Sequence, residues 1–147
     1  MIEGVVVTPL SVIETIGGYV LHGLKQSERS YTGFGEAYFS SIEYGVIKGW
    51  KQHKKMVLNL VVPIGVVRFV LYDERKDSRS YEQFQEITLS RSMNYCRLTV
   101  PPMVWFGFQG YDKLANMLLN IANIEHSQDE LNHRELDKIN FNWGENK

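Results

Sequence analysis

Between residues 36 and 122, apolar positions recur in short runs, many of them alternating with polar ones, and the runs are separated by glycine, proline or charged loops. This pattern predicts strands over 36–42, 44–52, 56–62, 66–72, 83–89, 96–100, 104–109 and 117–122. In the run 83–89, Phe84, Glu86 and Thr88 fall opposite Gln85, Ile87 and Leu89. Residues 66–72 are β-branched and aromatic, which suits a pleated and mostly buried surface. Two further short strands are expected near 5–7 and, after a Gly17-Gly18 turn, over 19–24. Residues 25–33 and 73–80 read as polar loops, and Pro63-Ile64-Gly65 reads as a hairpin turn. Residues 125–138 are polar, with a short helix or loop over 129–136. Beyond them Ile139, Phe141 and Trp143 alternate, so the terminus is expected to pack back on the body. Nine or ten short strands with little helix argue for an all-β sandwich or closed barrel, in one domain spanning 1–147.

Composition narrows this further. A chain of 147 residues, 44% apolar and 22% charged, can bury a core without disulfides or a structural metal. Sixteen Lys and Arg against 17 Asp and Glu give a formal charge of −1, which disfavours a nucleic-acid or anionic-membrane partner. The single cysteine, Cys96, excludes a disulfide framework and a cysteine-rich zinc site. No apolar run approaches the ~20 residues that span a bilayer. Glu3 stands where a signal peptide carries basic residues. The expected location is cytoplasmic.

The most specific signal lies between Gly45 and Gly65. From Gly45, five residues lead to Lys51, one more to His53, four on to Leu58 and six more to Gly65. This spacing resembles the first metal-binding motif of cupins, in which two histidines and a glutamate occupy the ligand positions. Only His53 is kept, and one imidazole does not hold a catalytic metal, which takes about three protein ligands. The resemblance therefore implies a cupin, a double-stranded β-helix or jelly-roll barrel, with no metal cofactor.

Four stretches extend the likeness, three to one family and one to a second. Residues 34–51, containing Gly45-Val46-Ile47-Lys48-Gly49-Trp50-Lys51, resemble the Gly-Val-(Leu/Ile)-Arg-Gly-Leu-His core of the dTDP-4-dehydrorhamnose 3,5-epimerase family. Tyr72-Asp73-Glu74-Arg75-Lys76-Asp77-Ser78 looks like that family's Val-Asp-Leu-Arg-x-x-Ser loop, and Pro101-Pro102-Met103-Val104-Trp105-Phe106-Gly107-Phe108 like its Pro-Pro-Gly-Phe-Ala-His-Gly-Phe. Lys51-Gln52-His53-Lys54-Lys55 is similar to the His-Ala-His-Lys-Lys of metal-free sugar 3,4-ketoisomerases. The departures are specific. Lys51 stands at the family's catalytic histidine, Lys48 at its arginine and Phe106 at its structural histidine, while Leu119-Asn120-Ile121 lacks the family's tyrosine.

The resemblance implies a metal-independent epimerase or ketoisomerase on a nucleotide-activated 4-keto-6-deoxysugar, in surface-polysaccharide or deoxysugar synthesis. Such chemistry removes a proton beside a ketone and returns it elsewhere, which needs a base, an oxyanion partner and a dry pocket. His53 is the candidate base, because imidazole titrates near ~6.5. Lys51 lies on the same strand face, two residues away. Tyr44 and Tyr38 are candidate acids. Lys48, Trp50, Asn59, Arg68 and Trp105 are candidate substrate-binding residues, with Lys48 and Lys51 placed for an oxyanion or diphosphate. A regular strand puts Tyr44, Lys48, Trp50 and Gln52 on one face, and a bulge at Gly45 or Gly49 shifts that register. His126, Asp129, Glu130 and His133 match no ligand spacing and read as a surface segment. The expected partners are a nucleotide-sugar substrate and, since related cupins exchange strands, a second copy in a homodimer. A non-catalytic cupin that binds a sugar or nucleotide sugar is the alternative.

Overall fold

The computed structural model describes residues 1–144. Twelve strands appear among them: β1 (Val6–Pro9), β2 (Val12–Thr15), β3 (Gly18–Leu21), β4 (Glu36–Ser41), β5 (Ile47–His53), β6 (Leu58–Ile64), β7 (Val66–Asp73), β8 (Phe84–Ser90), β9 (Cys96–Val100), β10 (Val104–Gly110), β11 (Met117–Ala122) and β12 (Leu131–His133). Ten of them form two antiparallel five-stranded sheets, ordered β1-β9-β6-β11-β4 and β12-β5-β10-β7-β8. β2 and β3 form a separate hairpin at Gly17, whose positive φ of 78° suits a residue without a Cβ. This is the expected jelly roll. No helix among the described residues is long and apolar enough to cross a membrane.

The core lies between the sheets. Leu58, Leu60, Leu98, Val100 and Leu118 of the first sheet face Val67, Phe69, Leu71, Leu89, Val104, Phe106 and Phe108 of the second. Strand alternation makes this possible, since residues i and i+2 share a face. The expected hairpin at residues 63–65 is corrected. β6 pairs with β9 and β11 while β7 pairs with β10 and β8, so Gly65 carries the chain from one sheet to the other. A Cβ on Gly65, whose φ is 78°, would stand 2.0 Å from the Ala115 carbonyl oxygen.

The outer face of the second sheet is also covered. Trp50, Val70, Trp105 and Ile139 form a second apolar cluster, against which Leu136, Phe141 and Trp143 pack. The terminus thus packs back as its alternation suggested. Gly107 makes room for it, because a Cβ there would meet the Trp143 ring at 3.0 Å. Arg68 fastens the tail from the side. Its Nη1 donates to the Trp143 carbonyl at 2.8 Å, and its Nε and Nη2 donate to Glu86 at 2.9 and 2.6 Å.

Candidate active site

A cavity of about 420 Å³ opens between the sheets. Leu58, Leu60, Phe106, Phe108, Leu118 and Leu131 give it apolar walls, and Glu36, Tyr38, Ser40, Lys51, His53, Asn120 and His126 supply its polar groups. That volume and lining are ordinary for a small-molecule site. A larger hollow of about 880 Å³ lies outside the first sheet, bordered by Val6, Thr8, Thr99 and residues 27–32. The inner cavity is the better candidate, because titratable side chains with displaced pKa values converge there.

Lys51 and His53 enter the cavity from β5. The register between β5 and β10 explains how Lys48 joins their face. Phe106 pairs with Lys51 and Phe108 with Lys48, so three steps along β5 match two along β10. This bulge next to Gly49 adds one residue to β5, and it leaves Lys48 on the same side as Lys51 instead of with Trp50 and Gln52. Lys48 is exposed, and its Nζ donates to the Ser41 carbonyl at 3.0 Å.

His53 is 6% exposed and stacks on Phe106, with ring centroids 6.1 Å apart. Burial lowers its pKa to about 4, and the nearby Glu130 carboxylate opposes this only in part. At neutral pH the ring is therefore uncharged and able to accept a proton. Nδ1 lies 4.0 Å from Glu130 Oε1. That is beyond hydrogen-bond distance, and the buried Nδ1 has no hydrogen-bond partner among the described residues. Glu130 is itself tightly held, since its Oε1 accepts the main-chain N–H of Lys55 at 2.6 Å and of Met56 at 2.7 Å. Burial pushes its pKa up, but these hydrogen bonds prevail and hold it below the usual carboxylate value.

A stability prediction follows from His53. Its folded-state pKa lies below the unfolded value of 6.5, so between pH 6.5 and 4 the unfolded chain binds the extra proton. Stability is then lost as pH falls through that window, by up to about 1.4 kcal/mol per pH unit. Urea denaturation of the native chain and of His53→Gln between pH 7 and 5 is expected to show a steeper fall for the native chain. Parallel curves would contradict the assignment.

The opposing wall comes from β4 and β11. Tyr38 and Asn120 are register partners on these strands. Asn120 Oδ1 accepts the main-chain N–H of Asn59 at 3.2 Å, which turns its Nδ2 toward Tyr38, where it donates to the phenol oxygen at 3.0 Å. Because the Tyr38 oxygen accepts this bond, its own proton remains available to a ligand. Asn120 stands where the family resemblance expects a tyrosine, and Tyr38 on the neighbouring strand sets a hydroxyl beside it.

Of the nine candidate site residues, Lys51, His53 and Tyr38 line the cavity. Lys48 shares their face without lining it, and five others lie elsewhere. Trp50 is fully buried on the outer face, its Nε1 donating to the Leu136 carbonyl at 3.3 Å. Trp105 is on the same outer face, its Nε1 donating to Glu74 Oε2 at 3.0 Å with the Arg134 guanidinium 4.4 Å over its ring. Arg68 fastens the tail as described. Asn59 points away from the cavity, its Oδ1 accepting from Thr99 Oγ1 at 2.7 Å. Tyr44 is exposed at an isolated bridge to Gly110, with the Lys113 ammonium 5.8 Å from its ring. These five are corrected as parts of the outer packing or surface, not of the cavity lining.

In residues 126–133 the surface reading holds for His126, Asp129 and His133, which are exposed, and is corrected at Glu130, which is buried. Gln128–Glu130 is a 3₁₀ turn and β12 pairs with β5, so this segment forms one edge of the site. His126 lines the cavity and Glu130 is buried beside His53. No apolar residue in Ser127–Asp129, which are exposed, marks Glu130 as buried, and the pairing of Leu131 with His53 brings it in. Among the described residues no three His, Cys, Asp or Glu side chains come together as a metal set.

No protein-family model matches the chain. It is 25% identical over 147 residues to the spore coat polysaccharide biosynthesis protein SpsL of Bacillus subtilis (strain 168), covering 97% of each. It superposes on a dTDP-4-dehydrorhamnose 3,5-epimerase from Sulfolobus tokodaii with a TM-score of 0.81 and 20% identity, over 95% of this chain and 81% of that one. With a dTDP sugar isomerase from Desulfovibrio desulfuricans G20 the TM-score is 0.93 and the identity 35%, over 97% of this chain and 92% of that one. At that identity and coverage, with the jelly roll and the motif order already described, the chain belongs to the dTDP-sugar isomerase family of cupins that resemble dTDP-4-dehydrorhamnose 3,5-epimerase.

Proposed function

We propose that the protein is a metal-independent isomerase or epimerase of a dTDP-linked 4-keto-6-deoxysugar, serving surface-polysaccharide or deoxysugar synthesis. The observation that carries this reading is the opposition of two walls. His53 and Lys51 of β5 face the same cavity as Tyr38 and Asn120 of β4 and β11. A hexose ring held between them has a base on one side and a proton donor on the other. His53 removes the proton beside the ketone, Lys51 activates the carbonyl, and Tyr38 returns a proton from the opposite wall. The apolar lining excludes water, which strengthens each polar contact. Imidazole, amine and phenol supply all of the proton transfer, so the reading calls on no metal. Lys48, exposed on the same face as Lys51, suits the diphosphate. The exposed apolar side chains Ile13, Ile16, Tyr19 and Val20 of the β2–β3 hairpin support a homodimer as part of the same reading.

The test is solvent exchange. The intact protein, incubated in D₂O with dTDP-4-keto-6-deoxyglucose, is expected to place deuterium on a carbon adjacent to the ketone, read by NMR. A sugar recovered without deuterium beyond the protein-free control would contradict the proposal.

A further inference from the structure

Lys51 differs from the other described lysines, all of which are exposed. Arg68, Arg75, Arg79, Arg97 and Arg134 each pair with a carboxylate. Lys51 is half-buried in the cavity and, among the described residues, has neither an ion pair nor a side-chain hydrogen bond. The titratable groups around it are Lys48 and His53 on its own strand, His133 opposite it on β12, and Glu36, Tyr38 and His126 on the rest of the lining. Glu130, the buried carboxylate nearest the site, is occupied by two main-chain N–H groups. Burial first, and the Lys48 charge second, lower the Lys51 pKa, and no carboxylate offsets them. A lysine meant as a fixed cation gains from a carboxylate that anchors it. A desolvated lysine beside a second cation is instead the known setting of an amine nucleophile toward carbonyl compounds.

We propose that Lys51 activates the sugar ketone covalently, as an iminium. This rests on the keto-sugar reading above and deepens it. The neutral Nζ attacks the carbonyl carbon and a carbinolamine forms. The nitrogen keeps its remaining proton, and the hydroxyl departs as water on a proton taken up from solvent, which leaves the C=N⁺ bond; that proton is released again when water adds back. His53 then takes a proton from the adjacent carbon, and the electron pair moves onto nitrogen to give a neutral enamine. Protonation of carbon regenerates the iminium in its new configuration or position. Water adds back, and the ketone and free amine are restored, so no oxidant, reductant or co-reactant is consumed. The pairing with His53 is chemically apt. Burial makes His53 a weak base, and a cationic nitrogen makes the neighbouring C–H far more acidic than a neutral ketone does.

Reductive trapping tests this. The intact protein is mixed with dTDP-4-keto-6-deoxyglucose and sodium cyanoborohydride, then examined by mass spectrometry, with deuterium exchange measured in parallel. The expected result is a protein heavier by the nucleotide sugar less one oxygen, with the adduct mapped to Lys51. Lys51→Arg, which keeps the charge but cannot condense, is expected to give no adduct and to exchange at least about a hundredfold more slowly. Exchange by the intact protein with no adduct, or an adduct confined to another lysine, overturns the proposal and leaves the keto-sugar reading standing. Absence of both exchange and dTDP-sugar binding overturns that reading, and the iminium with it.

Discussion

His53→Gln is expected to lower the rate of solvent-deuterium exchange by about 10²–10⁴-fold, the usual contribution of a positioned general base. His53 is the cavity imidazole with a carboxylate behind it, and its lowered pKa leaves it unprotonated at neutral pH. Glutamine keeps most of the volume and a polar end but cannot carry the proton. The loss should fall on kcat, with KM little changed, since the base acts on the transition state and the nucleotide is held elsewhere. Folding should survive, because Glu130 keeps its hydrogen bonds to Lys55 and Met56 without the imidazole. Steady-state exchange kinetics check this. A variant with unchanged kcat would remove His53 from the mechanism.

Trp50→Ala is expected to cost about 3–5 kcal/mol of stability, the range for deleting a large buried aromatic side chain. Trp50 has no exposed surface. Its ring centroid lies 6.3 Å from that of Phe141, edge-on, and 5.3 Å from that of Trp143. Removing it opens a cavity under the C-terminal tail and abolishes the hydrogen bond to the Leu136 carbonyl. The damage should reach the cavity as well, because Lys51 and His53 follow on the same strand and the tail segment 134–143 covers the strand's outer face. Leu114→Ala is the contrast. Its side chain is 96% exposed, and the change should stay within about 0.5 kcal/mol. Urea denaturation of the two variants checks both values. Equal midpoints would contradict the packing described for the outer cluster.

Much of the fold was legible because its strands are short and bounded by strong turn signals. β9 and β11 match the expected 96–100 and 117–122, β4, β7 and β10 differ by a residue at one end, and β8 is shifted by one residue at both ends. The hand-over between sheets at Gly65 was not legible, because a tight glycine turn looks the same whether the two strands pair or part. The site was legible where the motif carries chemistry, at Lys51 and His53. It was misread at Trp50, Trp105 and Arg68 for one physical reason. The second sheet is buried on both faces, by the core inside and by the tail outside, so alternation separates two sets of side chains without saying which set meets the cavity. Asn120 was read as a missing tyrosine, and only its register with Tyr38 gives it a use. Glu130 is hidden in an otherwise exposed polar segment, and its own burial comes with β12 joining the edge of β5.

A nucleotide-linked sugar is proposed to react in the cavity between the sheets, and not in the larger hollow outside them. A crystal structure of the protein with a bound dTDP-hexose tests it most directly. The hexose ring is expected between Lys51 and His53 on one side and Tyr38 and Asn120 on the other. A sugar lodged instead against Val6, Thr8 and Thr99, with the inner cavity holding only solvent, would contradict it.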